Sequence, residues 1–367
     1  MYIGINAHLI SGEKSYRAAG IHGYLLNTLR YLPAAAPPDW KFTVMVGANT
    51  HHDFNGMMVK HSLLDTSNPF KRIVWEQIAQ PMQLGAYDLY HAGAFVSPLI
   101  LPKRSIVTVY DLSFIHYPQV LTTARRLYLR MFTAMSCNRA ARVIAISQST
   151  ADDLTASLGI PPEKIDVALC GYDQERYQPL HPADVAAFRV KKGLPERFWL
   201  YLGTLEPRKN LVTLIDAYAQ LKDKPPLILA GGKGWMYDSI FERIQQHGLE
   251  GQIHLPGFIP AEELPLWYNS AELFVYPSVF EGFGLPVLEA MACGTPVIVS
   301  NASSLPEVAD GAGMLVPPHD VEAWIHAFQT ADADWLKEAA ARGLEKARQF
   351  TWQNTAEATI RSYQKAQ

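Results

Sequence analysis

The feature that most constrains the fold is the stretch of residues 274–299, FVYPSVFEGFGLPVLEAMACGTPVIV. Its apolar run ending at Tyr276 predicts a buried strand, and a loop with two glycines follows. Pro286 stands where the first turn of a helix should be, a position at which its missing N–H removes no hydrogen bond. The helix stops at Gly294, and residues 297–299 form another apolar strand. Strand, loop, helix and strand make a βαβ unit, in which ligands bind where the loop leaves the first strand.

The loop of this unit has the chemistry of a site for a phosphorylated sugar. Gly282 and Gly284 allow positive φ and a close approach of the backbone to a ligand. The free N–H groups of the helix start favour an anion. Glu281 and Glu289 flank that anion site, and carboxylates accept hydrogen bonds from sugar hydroxyls. The alternative for each carboxylate is a solvated loop residue or an acid placed to complement the helix dipole.

A second candidate anion site lies earlier in the chain. Residues 198–202 predict a strand that ends at Gly203 and Thr204. Arg208 and Lys209 follow, just before the next predicted helix. Two adjacent cations at a helix start are unfavourable, because the positive end of the helix dipole lies there. A bound diphosphate would remove this conflict, so we interpret the pair as phosphate contacts; the alternative is a solvated basic turn.

These motifs resemble those of glycosyltransferase family 4, retaining enzymes with the GT-B fold. The resemblance is carried by residues 281–289, EGFGLPVLE, which have the E-x7-E spacing of that family, and by residues 201–211, YLGTLEPRKNL. The Phe-Thr-Trp sequence at 350–352 before a closing helix and the WEQ sequence at 75–77 are also similar. The resemblance covers nearly the whole chain, and the motifs of its C-terminal half are highly specific.

The resemblance implies an α/β fold of the GT-B type, with two Rossmann-like α/β domains facing across a cleft. The 367 residues, 49% hydrophobic and 18% charged, suit two domains with a core each. We expect an acceptor-side N-terminal domain at residues 1–176 and a nucleotide-sugar-binding domain at residues 177–350, with a proline-rich linker region at 174–195. The C-terminal helix, residues 351–367, should pack back on the N-terminal domain.

For the second domain, the resemblance implies a donor site with three catalytic residues. Arg208 and Lys209 would neutralise the leaving diphosphate, and Glu281 would bind the hydroxyls of the sugar. Glu289 would bind the ribose, and Phe258 would lie against the nucleotide base. The remaining donor-binding residues would be Gly203, Thr204, Gly282, Phe283, Gly284 and Leu285. Attack on the same face, with the leaving phosphate accepting the proton of the acceptor, would need no general base.

The candidate residues of the first domain carry a weaker signal. Residues 105–110 predict a strand that leads into Asp111, and the family often has a histidine just before this aspartate. This chain has Tyr110 instead, which cannot exchange protons near pH 7 unless its pKa is much lowered. His116 either substitutes for that histidine or simply packs against or caps the following turn.

A loop of residues 8–20 follows the first predicted strand and ends at Gly20, where a helix should begin. By resemblance it could contact the acceptor or the donor phosphate, and the alternative is a plain surface loop. Its small, polar and basic residues are Ser11, Gly12, Lys14, Ser15 and Arg17.

Charge and hydropathy restrict the partners. A net charge of −3 argues against a nucleic-acid binder. The N-terminus has no basic leader and no run of 18 apolar residues occurs, so we expect a cytoplasmic protein. The segment 122–142 has five arginines and no acid. It is either a solvated helix packed on its own domain or a surface that meets anionic lipid head groups, or a lipid-linked acceptor, at the inner face of the membrane.

The sequence predicts neither a metal nor a cofactor. Cys137, Cys170 and Cys293 are far apart, which is typical of free thiols in a reducing compartment. Asp332 and Asp334 have the spacing of a D-x-D motif but lie far from the glycine loops, and we interpret Asp334 as a helix N-cap. Two cations and two helix dipoles would hold the diphosphate without Mg²⁺.

The function predicted from the sequence is a retaining, metal-independent hexosyltransferase. The WEQ sequence and residues 108–114, TVYDLSF, resemble mannosyl- and rhamnosyl-type members that build bacterial surface polysaccharides. They favour GDP-mannose as the donor ahead of a UDP-hexose, with a glycan or a lipid-linked saccharide as the acceptor. Three alternatives stay open: a degenerate transferase kept as a scaffold, which the presence of Tyr110 suggests, a sugar-nucleotide epimerase of related architecture, and a two-lobed binding protein.

Overall fold

The structure is a computed structural model that describes residues 1–10, 19–50, 52–101 and 104–367. The loop residues Ser11, Gly12, Lys14, Ser15 and Arg17 lie outside the described residues. The chain forms two compact units, one made of Met1–Gly171 with Thr351–Gln367 and the other of Tyr172–Phe350. The division follows Gly171 instead of residue 176, because Gly171 packs on the closing segment so tightly that a Cβ there would lie 2.3 Å from the backbone nitrogen of Trp352.

Both sheets are parallel and mostly buried, which explains why most of their strands are continuous apolar runs in the sequence. In the described part of the first unit the strand order is β3-β2-β1-β4-β5-β6-β7, and in the second unit it is β10-β9-β8-β11-β12-β13. The strands are β1 Tyr2–Asn6, β2 Lys41–Val46, β3 Met58–His61, β4 Leu89–Ala92, β5 Arg104–Val109, β6 Arg142–Ala145, β7 Ile165–Val167, β8 Trp199–Leu202, β9 Leu227–Ala230, β10 Ile253–Gly257, β11 Leu273–Tyr276, β12 Val297–Ser300 and β13 Met314–Val316.

The helices cover the faces of the two sheets. Among those in the described ranges, none combines the length and the apolar character needed to cross a bilayer. The helices are α1 Ala19–Ala35, α2 Pro69–Val74, α3 Ser113–His116, α4 Thr123–Arg139, α5 Gln148–Leu158, α6 Pro182–Lys192, α7 Leu211–Ala219, α8 Asp238–Gln246, α9 Leu264–Ser270, α10 Leu285–Ala292, α11 Leu305–Ala309, α12 Val321–Thr330, α13 Ala333–Ala347 and α14 Trp352–Lys365.

The closing helix α14 is part of the core of the first unit. Its residues Ala356, Ile360 and Tyr363 pack with α1 and with β1 in one buried apolar cluster. The buried His91 of β4 bonds the hydroxyl of Tyr363 through Nδ1 at 2.7 Å. A polar contact inside an apolar core fixes the position of the helix, because leaving either group without its partner would be unfavourable.

Two expectations about local structure are wrong. The region expected to be a linker, 174–195, contains α6, which starts at Pro182 because proline suits the first helical position and ends before Gly193 at φ +61°. Further along the chain, two helices, α12 and α13, follow each other with a break at Ala331. The cap of α13 is Asp332, whose Oδ1 accepts from the backbone N–H of Trp335 at 2.8 Å, and not Asp334.

The strand β3 was not predicted. It is an edge strand whose four residues are all exposed, so it lacks both the apolar run and the alternation that identify buried strands. Only the structure shows that this strand pairs with β2, from Thr43 with Met58 to Val46 with His61.

Candidate functional site

The two motifs predicted from the sequence meet at one point of the second sheet. The strand order reverses between the neighbouring strands β8 and β11. At such a reversal the connections leave on opposite faces of the sheet and open a crevice at the carboxyl ends of the strands. Arg208 and Lys209 follow β8, and Glu281 follows β11. The fold therefore places the basic pair and the acidic loop side by side, although 72 residues separate Lys209 from Glu281.

Glu281 is the centre of a cluster of ion pairs. Its Oε1 accepts hydrogen bonds from Lys209 Nζ at 2.5 Å and from Ser278 Oγ at 2.6 Å. Its Oε2 accepts from Arg208 Nη1 at 3.1 Å. Arg208 Nε also lies 2.5 Å from Oε1 of Glu206. Two carboxylates and two cations make this cluster neutral. Glu206 and Glu281 therefore already offset the unfavourable placement of two cations near the start of a helix.

The electrostatics of the cluster keep Glu281 ionised. Burial alone would raise the pKa of its carboxyl group, but the charges of Lys209 and Arg208, with the hydrogen bonds from Lys209 and Ser278, lower that pKa to about 2. The pKa of Lys209 is lowered by burial and by the charge of Arg208, while Glu281 acts in the opposite direction. At neutral pH the pair is an ion pair held under low solvent exposure.

The two cations differ in their access to a ligand. Lys209 is only 5% exposed, and its Nζ donates a hydrogen bond to the hydroxyl of the buried Tyr276 at 2.7 Å. The side chain of Arg208 is 23% exposed, and its Nη1 also donates to the carbonyl of Phe280 at 2.8 Å. Arg208 is thus the more accessible cation, whereas Lys209 is buried and holds Glu281 in place through its hydrogen bond.

Residues that were not singled out from the sequence hold the acidic loop in place. Ser303 Oγ and Ser304 Oγ donate to the carbonyl oxygen of Glu281 at 2.7 and 3.0 Å. Ser303 has φ +55°, an uncommon conformation for serine. Asn210, also in the left-handed region at φ +57°, donates to the carbonyl of Pro277 at 3.2 Å. Apart from the small polar run NASS at 301–304, the sequence carries no signal for these contacts.

The start of α10 has the geometry expected of an anion site. Gly284 is the residue before the helix and has φ +110°, which favours glycine. A Cβ at this position would lie 2.7 Å from Cδ2 of Leu305. The side chain of Phe283 is buried against Phe350 and so points away from the loop surface. The loop therefore offers mainly the backbone of residues 282–285 to a ligand. The free N–H groups at the start of α10 can therefore face an anion.

Glu289 lies inside α10, in a separate environment from that of Glu281. Its Oε2 accepts a hydrogen bond from the hydroxyl of Tyr268 in α9 at 3.0 Å. Burial raises the pKa of Glu289 to about 7, although the hydrogen bonds from Tyr268 and Tyr177 and the charge of Arg176 act against that rise. The two carboxylates of one motif thus have pKa values displaced in opposite directions.

The remaining residues that the sequence predicts for the donor site border the same sheet. Gly203 and Thr204 leave the carboxyl end of β8, where the Tyr201 hydroxyl donates to the Thr204 carbonyl at 3.0 Å. Phe258 follows β10 and is 55% exposed, which is unusual for a phenylalanine. Since β9 separates β10 from β8, Phe258 lies at the outer side of the site and away from the ion-pair cluster.

The candidate residues of the first unit do not form a comparable cluster. Tyr110 is buried; its hydroxyl donates to the carbonyl of Gly93 at 2.8 Å, and burial raises its pKa far above neutrality. Asp111 accepts from the backbone N–H of Ser113 at 2.8 Å. His116 pairs with Asp153 of α5 at 2.8 Å. Gly20 is exposed in the first turn of α1. Tyr110 is therefore a structural donor and not a group that exchanges protons.

No group of three or more histidine, cysteine, aspartate or glutamate side chains in the described ranges is arranged to hold a metal ion.

Comparisons with known proteins agree with this geometry. A family model described as glycosyl transferases group 1 matches residues 184–350, and one described as Glycosyltransferase Family 4 matches residues 28–176. The O-antigen chain mannosyltransferase B of Escherichia coli is 36% identical over 282 residues, which cover 75% of this chain and 74% of that protein.

Solved structures share the fold. Sucrose-phosphate synthase of Thermosynechococcus elongatus superposes with a TM-score of 0.76 at 23% identity, over 99% of this chain and 98% of that chain. Anabaena HepE in complex with UDP and glucose superposes with a TM-score of 0.75 at 21% identity, over 99% of this chain and 98% of that chain. With two Rossmann-like units of the GT-B type and both halves matched by its family models, the chain belongs to glycosyltransferase family 4.

Proposed function

We propose that this glycosyltransferase transfers mannose from GDP-mannose to a glycan or lipid-linked saccharide, with retention of configuration and without a metal ion. The observation that supports it best is the cluster of Arg208, Lys209 and Glu281 beside the start of α10. The partly exposed guanidinium of Arg208, free N–H groups and a fixed carboxylate at one point suit a sugar attached to a diphosphate. The preference for mannose rests on the similarity to the mannosyltransferase of E. coli.

The chemistry follows from these positions. Arg208, assisted by the start of α10, would neutralise the charge that develops on the leaving diphosphate, which is the dominant form of help in such reactions. Glu281 would accept hydrogen bonds from the hydroxyls of the sugar, since the ion pair with Lys209 keeps it ionised. Glu289 would bind the ribose. The leaving phosphate would accept the proton of the acceptor on the same face of the sugar, and therefore no general base is assigned.

The donor prediction is tested by thermal stability with GDP, UDP, ADP and dTDP, each without added metal. We expect GDP to raise the melting temperature most, because a ligand at 100 times its dissociation constant stabilises by about 2.7 kcal/mol. A response to UDP alone would contradict the mannose proposal and fit a UDP-hexose, the class of nucleotide present in the HepE structure. A flat response to all four would favour a scaffold.

The anomeric configuration of the product, measured by NMR, tests retention.

We also propose that the enzyme works in the cytoplasm and binds the inner face of the membrane through α4. Leu127, Met131 and Met135 are 56%, 48% and 41% exposed, and their spacing of four residues places them in one stripe. Arg126 and Arg130 belong to the same helix. An exposed apolar stripe with arginines and no acids suits an anionic lipid surface. Arg142 is not part of this surface, because it lies in β6 and pairs with Asp166 at 2.6 Å.

Vesicle sedimentation tests this surface. We expect binding to vesicles of phosphatidylcholine with phosphatidylglycerol but not to phosphatidylcholine alone. The double substitution Leu127→Ser and Met131→Ser should weaken binding by about tenfold or more, because two apolar side chains no longer enter the lipid. Val190→Ser, which changes an 83% exposed valine of the second unit, is the matched control. Equal binding of the double variant and the control would overturn the proposal.

A further inference from the structure

Glu281 is held from both sides of the strand that it follows. That strand, β11, pairs with β8 on one side and with β12 on the other. The β8 side supplies the cations Arg208 and Lys209, which bind the carboxylate. The β12 side supplies serines, which bind the backbone of the same residue. The position of the carboxylate therefore depends on two separate sets of contacts, one charged and one neutral.

Ser303 binds both polar groups of the Glu281 backbone with one hydroxyl. Its Oγ accepts a hydrogen bond from the Glu281 N–H at 3.2 Å and donates one to the Glu281 carbonyl oxygen at 2.7 Å. Each residue has only two soft backbone dihedrals, and a residue bound at both its N–H and its C=O has little freedom in either. Ser303 thus fixes the direction in which the side chain of Glu281 leaves the backbone.

The backbone of Ser303 has a conformation that glycine adopts with less strain. Its φ of +55° lies in the left-handed region, which is uncommon for serine. Unfavourable conformations of this kind persist where the surroundings hold them, and they cluster at functional sites. Serine differs from glycine here by the hydroxyl that bridges the backbone of Glu281. We therefore look for the role of Ser303 in that bridge.

The segment that carries Ser303 also contacts the start of α10. Ser304, which is fully buried, donates a second hydrogen bond to the Glu281 carbonyl at 3.0 Å. The next residue is Leu305, and a Cβ on Gly284 would lie 2.7 Å from its Cδ2. Residues 303–305 thus contact the loop at Glu281 and again at the residue before α10. One short segment therefore sets the spacing between the carboxylate and the helix start.

The cations alone would not keep Glu281 in place when a donor binds. A diphosphate at the start of α10 competes for Arg208, because a guanidinium matches phosphate as well as carboxylate. Glu281 would then share Arg208 with the ligand, and the electrostatic forces on its carboxylate would change. The bonds from Ser303 join uncharged groups to the backbone and do not involve Arg208. They can hold the carboxylate in place while the charges around it rearrange.

We propose that Ser303 is a positioning residue that aims the carboxylate of Glu281 at a hydroxyl of the donor sugar. It acts through the backbone of Glu281 and not by contact with the reacting atoms. This role rests on the proposed function, in which Glu281 binds the sugar. It extends that function because Ser303 lies outside both recognised motifs, residues 201–211 and 281–289. The affinity for the sugar part of the donor should depend on Ser303, and the affinity for the nucleotide part much less.

Calorimetric titration separates the sugar from the nucleotide. The probes are two pairs, GDP-mannose with GDP and UDP-glucose with UDP, and the pair that the wild-type protein binds is compared between variants. We expect Ser303→Gly to weaken binding of the sugar nucleotide by about tenfold or more, because the hydrogen bond of a sugar hydroxyl to a charged group is misaligned. Binding of the free nucleotide should change by less than about twofold, since the diphosphate binds Arg208 and the start of α10. Damage to the fold would instead weaken both ligands alike or lower the binding stoichiometry.

A second variant and a matched control make the result specific. Ser303→Ala removes the same hydroxyl but keeps a side chain in the left-handed region, so it should melt at a lower temperature than Ser303→Gly and lose the same affinity for the sugar. The control is Asn55→Gly in the first unit. Asn55 also has a left-handed backbone, at φ +52°, and its side chain donates to the carbonyl of Arg30 at 2.8 Å. The control should bind both members of the pair as the wild-type protein does.

Failure of this role and failure of the proposed donor give different results. If Ser303→Gly binds the sugar nucleotide as the wild-type protein does, or loses the free nucleotide to the same extent, the role of Ser303 is overturned and the donor proposal stands. If the wild-type protein binds only the UDP pair, mannose is contradicted, and a selective loss of UDP-glucose by Ser303→Gly still supports the role. A wild-type protein that binds neither pair contradicts the donor site and this role with it.

Discussion

Replacing Arg208 by methionine should lower the rate of sugar transfer by about 100- to 1000-fold, the usual result of removing one group that stabilises transition-state charge. Arg208 is the more accessible cation of the cluster, at 23% side-chain exposure, and it joins Glu206 to Glu281. Methionine keeps most of the aliphatic length of the side chain and removes the charge. The turnover number at saturating donor is the measurement, because the charge on the diphosphate is largest in the transition state.

Arg243→Met is the matched control for this prediction. Arg243 also pairs with a carboxylate, Asp216, at 3.3 Å, but it lies on α8, outside the ion-pair cluster. The control should retain the wild-type rate. A turnover number for Arg208→Met within about twofold of the control would show that the leaving diphosphate is stabilised elsewhere, since tenfold in rate corresponds to about 1.4 kcal/mol.

Replacing Glu281 by glutamine should lower the free energy of unfolding of the second unit by about 3 kcal/mol at pH 7. The carboxylate is the shared partner of Lys209 and Arg208, and glutamine keeps its shape while removing its charge. Lys209, which is 5% exposed, would then be a buried cation without an anion. The pKa of Lys209, already lowered by burial and by Arg208, should fall further. Urea unfolding followed by fluorescence measures the change.

The pH dependence of this effect has a defined sign. The pKa of Glu281 is about 2 in the folded chain, against an ordinary value of 4.5. A lowered carboxyl pKa adds stability that is fully present above pH 4.5 and is lost as the pH falls through 2. The difference between wild type and Glu281→Gln should therefore shrink on acidification. A difference that stays constant between pH 7 and pH 3 would contradict the ion pair as its cause.

Glu338→Gln provides the comparison for a carboxylate in solvent. Its side chain is 71% exposed and lies 3.3 Å from Arg342, one turn further along α13. Exposed pairs of this spacing contribute only about 0.3 to 0.5 kcal/mol. We expect its substitution to leave unfolding nearly unchanged, which separates the effect of burial from the effect of removing a charge.

Much of the fold could be predicted because its signals are local. The strand–loop–helix–strand order of residues 274–299 follows from apolar runs, two glycines and a proline at the helix start, and the structure has β11, α10 and β12 there. Ser147 is of a residue type that favours N-caps, and its Oγ accepts from the backbone N–H of Thr150 at the start of α5 at 3.0 Å. Each of these signals involves only a few neighbouring residues, and therefore it can be recognised from the sequence alone.

Other features exist only because distant parts of the chain meet. The sequence identified Glu281, Arg208 and Lys209, but the strand order places β8 beside β11 and so lets them form ion pairs. The pKa values of Glu281 and Glu289 diverge although burial raises both, because Lys209 and Arg208 lie beside Glu281 and no cation bonds Glu289 within the described residues. Long-range pairing and burial depend on the packing of whole sheets. No local pattern encodes that packing. The tertiary structure alone therefore determines the ion pairs of Glu281 and the pKa values of the two carboxylates.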